Sequence, residues 1–175
     1  AGYLERDVIK PCYQYLFIQN DNLKSPLYDT IRDGSAHSQN GFCEYLKMIL
    51  PLFSGQWTLK LRADAGFFNE ESFDLCARNR TTYYIKAPMS ESRLSQSRAP
   101  ALIWSVDSKD SAVEYAIYET TTKAGLRWRE VFKREKKSPR DGAMFSEIIT
   151  QCIATNDFSS EGSEVFYFYN GRSRI

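Results

Sequence analysis

At 175 residues, with 42% hydrophobic and 14% aromatic side chains, the chain has the length and the apolar material of one folded domain, which excludes a disordered or low-complexity protein. No stretch approaches the run of about 20 apolar residues that a membrane helix needs, and no basic segment followed by an apolar one marks a secretory signal at the start. The net charge of +1 says nothing by itself, so what matters is where the charges sit.

In chain order, Cys12 to Gln19 is aromatic and β-branched and reads as a strand. A polar turn, Asn20-Asp21-Asn22, leads to a second short strand around Leu27 to Ile31, and Asp33-Gly34-Ser35 punctuates the chain. From Ser38 to Phe53, Phe42, Leu46, Ile49 and Leu50 recur at helical spacing and predict an amphipathic helix ended by Gly55. Trp57 to Asp64 alternates as a strand and stops at an acidic residue, followed by the turn Ala65-Gly66-Phe67-Phe68. Asn69 is placed to cap a helix with Phe73, Leu75, Cys76 and Ala77 on its buried side, and Thr82 to Lys86 is a further strand. This order of strands and helices is α/β with a sheet core.

The second half changes character. Ser90 to Ala99 is Ser/Arg-rich and reads as an irregular connector. Four β-prone runs follow: Ile103 to Val106, Val113 to Glu119, Arg127 to Arg134 and Ile148 to Thr155. They read as a mostly β insertion laid onto the core. After a polar break at Ser159 to Ser163, the last segment reads as the start of a helix. The expected organisation is a partial core over 1–89, an insertion over 90–158 and a final core helix beginning within 159–175.

The four cysteines, Cys12, Cys43, Cys76 and Cys152, have no paired spacing, which fits neither a zinc site nor a disulfide scaffold and leaves reduced thiols in a cytoplasmic protein as the expectation. The chain starts Ala1-Gly2-Tyr3 without Met and reads as a cut or processed product. Lys123 to Arg140 carries eight cations against Glu130 and Glu135, either a phosphate-facing surface or a solvated hairpin. Within it the densest cluster is Lys133, Arg134, Lys136 and Lys137.

The sharpest local signal is Leu61-Arg62-Ala63-Asp64-Ala65-Gly66-Phe67-Phe68, a carboxylate at a strand tip followed by a glycine turn. Open α/β sheets put their sites at such tips. Two or three carboxylates gathered there hold hard divalent cations, whereas one strand-end Asp alone is an ordinary turn former. The sole histidine, His37, lies among Ser and Asn and reads as a hydrogen-bonding residue ahead of the first helix, while Trp104 and Trp128 read as core packing.

Taken together, several segments resemble the DDE transposases of bacterial insertion sequences. Ile31 to Gly41 is similar to that family's "R-x-G-x-A-H-S-x-N-G" segment, and Leu61 to Phe68 to its "RaDsGF" strand end. Tyr83 to Ala87 resembles the next core strand, Arg127 to Glu135 an insertion strand and Ala154-Thr155-Asn156 the "TN" turn. Phe168 to Ile175 resembles "Y-x-x-R-x-x-x-E", with Tyr169 and Arg172 on the Tyr and Arg and the Glu falling one residue past Ile175.

The resemblance implies an RNase H-like mixed sheet with flanking helices, interrupted by the β insertion. It makes Asp64 the second metal-binding, catalytic carboxylate, with Mg²⁺ or Mn²⁺ as cofactor. It assigns Tyr169 and Arg172 to DNA at the element end, and adds weight to DNA contact at Lys133, Arg134, Lys136 and Lys137. The implied activity is DNA cleavage and strand transfer on double-stranded DNA, by a homodimer on paired ends and with no membrane partner. Two of the three acidic residues have no match in the chain, so it is expected to be inactive alone and to hold the metal weakly. The alternative is a DNA-binding or assembly remnant without chemistry.

Overall fold

The computed structural model describes residues 13–20, 25–33, 39, 41–53, 55, 57–137 and 147–171. Within them the chain is mixed α/β: a two-stranded hairpin, a six-stranded mixed sheet and four α-helices.

The hairpin pairs β1 (Tyr13–Asn20) with β2 (Ser25–Asp33) antiparallel, with a register shift at Ile18/Gln19. Gly41 then adopts φ +77°, where a Cβ would meet the Tyr45 ring at 3.1–3.2 Å, so only glycine fits without strain. Helix α1 (Phe42–Phe53) follows and buries Phe42, Leu46 and Leu50, which its periodicity singles out, together with Cys43, while Ile49 is half-buried. It starts four residues after Ser38.

The main sheet begins with β3 (Lys60–Ala63), three residues shorter at its start than the alternation suggests, and Trp57 is exposed. A 3₁₀ turn, Ala65–Phe67, leads to α2 (Glu70–Arg78), capped by Asn69, whose side chain accepts from Ser72 N at 2.7 Å. Phe73 and Cys76 face inward as expected, but Ala77 is exposed. β4 (Thr82–Ala87) returns parallel to β3.

The expectation of an irregular connector after β4 is corrected: Glu91–Ser97 forms a short helix, α3, with Ser90 as its cap. Its order comes from tertiary contacts invisible in a Ser/Arg-rich stretch. Arg93 Nε donates to Glu130 Oε1 at 3.0 Å, and its guanidinium lies 4.3 Å from the centroid of the Phe68 ring.

β5 (Trp104–Val106), β6 (Val113–Thr121), β7 (Arg127–Lys137) and β8 (Glu147–Thr155) continue the same sheet in the order β3-β4-β8-β7-β6-β5. β8 hydrogen-bonds antiparallel to β4, so the β-rich half joins the βαβ unit edge to edge. Helix α4 (Gly162–Asn170) then crosses the sheet, with a capping box between Glu161 and Glu164.

Alternation along the strands splits the core in two. One face packs Phe73, Cys76, Tyr83, Ile85, Trp128 and Ala154 against α1 and α2. The other packs Tyr84, Val131 and Ile153 under Val165, Phe166 and Tyr169 of α4. None of the helices among the described residues is long and apolar enough to cross a membrane.

Candidate functional site

Asp64 follows β3 in extended conformation, with φ −81° and ψ 173°. Its carboxylate accepts from Ala65 N at 2.8 Å and opens the 3₁₀ turn, which leaves the side chain exposed at the strand tip. In the parallel register Ala63 lies beside Ile85, so Lys86 of β4 comes level with Asp64. A cavity of about 140 Å³ opens next to Lys86, between the sheet and α4, with Gln151, Ile153, Phe166, Tyr169 and Asn170 among its lining.

Three segments far apart in sequence meet around this strand tip. Gln39 Nε2 donates to Phe68 O at 2.7 Å, and the Phe42 and Phe67 rings stand 4.6 Å apart, which ties the start of α1 to the turn after Asp64. Arg62 Nη1 donates to Phe168 O at 2.9 Å, across 106 residues, and ties the last turn of α4 to β3. The start of α4 is fixed as firmly. The buried Arg129 donates to the carbonyls of Asp157 and Ser160 at 2.7 and 2.9 Å, and a Cβ on Gly162 would stand 2.6 Å from Tyr115 Cβ.

Asp157 organises that loop. Its carboxylate accepts from Tyr84 Oη at 2.7 Å and from Ser159 Oγ at 2.8 Å. Burial pushes its pKa upward, but hydrogen bonds from Ser160, Tyr84 and Ser159 outweigh this and hold the carboxyl well below the usual carboxylate range.

Tyr169 is buried in the cluster under α4, beside Tyr84 and Ile153, so its ring belongs to the core rather than the surface. Arg172 and His37 lie outside the described residues. The basic cluster of β7 does not form one surface. Lys133 and Lys137 point to the α4 side and Arg134 and Lys136 to the other, because successive strand residues alternate. Lys133 pairs with Glu135 at 3.0 Å on its own face. Arg134 pairs with Glu114 and lies 4.2 Å from the Trp104 ring centroid. Lys136 and Lys137 are exposed at the strand's end. Trp128 is core, 5.4 Å from Phe73, and Trp104 is half-buried beneath Arg134.

The cysteines among the described residues are not set up as nucleophiles, and Cys12 lies outside them. Cys43, Cys76 and Cys152 are buried and free, and burial raises the thiols of Cys43 and Cys76 to about 11 and about 12. A divalent ion needs several oxygen donors. Asp64 is one, and among the described residues no group of three His, Cys, Asp or Glu side chains gathers, so these residues alone do not complete a metal site.

Lys86 and Arg62 are the site residues that sequence reasoning passed over. Lys86 had a detectable signal: it is the one charge in Tyr83-Tyr84-Ile85-Lys86-Ala87, a strand otherwise buried on both faces, and such a charge marks an opening. Arg62 had only its place in the motif.

Comparison with family models and with curated proteins finds no match to this chain.

Proposed function

We propose that this chain is part of the catalytic core of a DDE transposase with an RNase H-like sheet, and that Asp64 is one carboxylate of its metal centre. The observation that carries the reading is the convergence at the β3 tip. Parts of the segments resembling three of the family's motifs, Ile31 to Gly41, Leu61 to Phe68 and Phe168 to Ile175, adjoin there through Gln39–Phe68 and Arg62–Phe168, with Phe42, next after the first, against Phe67. Nothing in their sequence separation requires such a meeting. A shared site does.

The substrate is double-stranded DNA. Lys86 beside Asp64, and Lys133 and Lys137 further along the same face, supply cations for its phosphates, with exposed Lys136 at the rim. By the resemblance Arg172, outside the described residues, is a further phosphate contact. Tyr169 serves by seating α4 on the sheet. The further carboxylates of the centre lie outside the described residues. When bound, Mg²⁺ or Mn²⁺ would activate a water or 3′-hydroxyl and stabilise the leaving oxygen of a phosphodiester. Two copies would act on paired DNA ends.

The test is metal-dependent cleavage of duplex DNA carrying insertion-sequence ends, by the protein that contains this chain. Asp64→Asn should abolish cleavage while moving Tm by no more than about 4 °C, because the side chain is exposed. Cleavage unchanged in Asp64→Asn would sink the assignment. A second reading, DNA binding without chemistry, rests on Asp64 belonging to no group of three potential ligands among the described residues. It predicts salt-sensitive DNA binding with no cleavage in the unmutated protein.

A further inference from the structure

We infer that Arg62 is a positioning residue that fixes the C-terminal end of α4 to the strand carrying Asp64. The inference rests on the reading of Asp64 as a metal-binding carboxylate and names what holds the last turn of α4 at its place beside that strand.

Arg62 precedes Asp64 by two residues on β3. Its Nη1 donates to Phe168 O at 2.9 Å, and its guanidinium lies 5.0 Å from the Phe168 ring centroid. The same ring holds Lys60 Nζ at 5.0 Å and packs 4.5 Å from the Tyr84 ring. The closeness has a second signature. A Cβ on Gly171 would stand 3.0 Å from Arg62 Nη1, so the guanidinium lies against the end of the helix.

The chemistry suits the end of a helix. The last turn carries the negative end of the helix dipole, and Phe168 O, which already accepts from Gly171 N, takes the guanidinium as a second, charged donor. Arg62 is not what seats α4 as a whole. Val165, Phe166 and Tyr169 bury it on Tyr84, Val131 and Ile153, and Arg129 holds the loop before it. What the Arg62 bond adds is direction at the last turn. Gly171 retains helical dihedrals, φ −57° and ψ −18°, so the orientation fixed at Phe168 carries through to the end of the described helix.

The experiment uses this chain, with Arg62→Ala, Arg62→Lys and the unmutated protein compared by amide NMR. Arg62→Ala should speed hydrogen exchange at Phe168 to Gly171 about tenfold, the size expected for loss of one charged hydrogen bond, and leave exchange at Val165 and Phe166 unchanged. Arg62→Lys should recover protection part-way, since it keeps one donor but not the planar fork. With Mn²⁺ in excess, paramagnetic broadening in the unmutated chain should reach residues 64–66 and 168–171 together. In Arg62→Ala it should persist at 64–66 and weaken at 168–171. Unchanged exchange and unchanged broadening at 168–171 in Arg62→Ala would overturn the inference alone. Absence of broadening at 64–66 in the unmutated chain would overturn the Asp64 reading, and the positioning role with it.

Discussion

The two faces of the sheet come from the same strands, one residue out of step, and are built for different ends. The α1–α2 face is closed and aromatic: Phe73 stacks on Tyr83 at 4.6 Å and meets Trp128 edge-on. Its one buried ion pair, Arg93–Glu130, is sealed by α3 and Phe68. The α4 face is an apolar strip bordered by polar groups, with Lys86 and Gln151 lining a cavity under the helix and Lys133 further along β7. One face is filled by aromatic rings. The other leaves a cavity beside Lys86.

Substitutions should separate the two. Phe73→Ala, at a fully buried position, should cost about 3–5 kcal/mol in urea unfolding, the range for deleting a core aromatic ring. A much smaller loss would mean that this face is not the main core.

Asp157→Asn, in the loop that launches α4, should cost about 1–3 kcal/mol at neutral pH through its lost hydrogen bonds. Because the folded carboxyl lies below its unfolded value of about 3.9, its contribution is complete above that pH and is lost as the pH falls towards the folded value. The stability gap between the two proteins should therefore be flat from pH 5 to 8, as narrow pH steps of urea curves would check, and should close below about pH 4. A gap that closes at higher pH would contradict the depressed carboxyl.

The smallest effect on folding belongs to exposed Lys136 and Lys137. Changing each to Gln should alter stability by less than about 0.5 kcal/mol. Yet each lysine that meets a phosphate should reduce the slope of log affinity against log salt by about 0.9 for duplex DNA. A stability change without a slope change would make them structural.

Much of this layout was legible in the sequence, for identifiable reasons. Periodicity located α1, alternation located β6, and the Asn69 cap located α2, because each is a local signal. Helix α3 was not legible, since Glu91–Ser97 has no apolar repeat and owes its order to Arg93 reaching Phe68 and Glu130. Nor was the joining of β8 to β4, because strand pairing over some 70 residues leaves no local trace. Asp64 stood out by its strand-end motif. Lys86 did not, because which residue comes level with it depends on the parallel register. The basic run of β7 was legible as charge but not as one surface, since the period of two sends Lys133 and Arg134 to opposite faces.

The most direct measurement of the central claim is an amide chemical-shift map of this chain titrated with duplex DNA at low salt. The account predicts shifts at residues 64–66, 86–87, 133, 137 and 151, on the α4 face and at the strand tips, with the outer surfaces of α1 and α2 unmoved. Shifts gathered on α1 and α2, or none at any salt concentration, would contradict it.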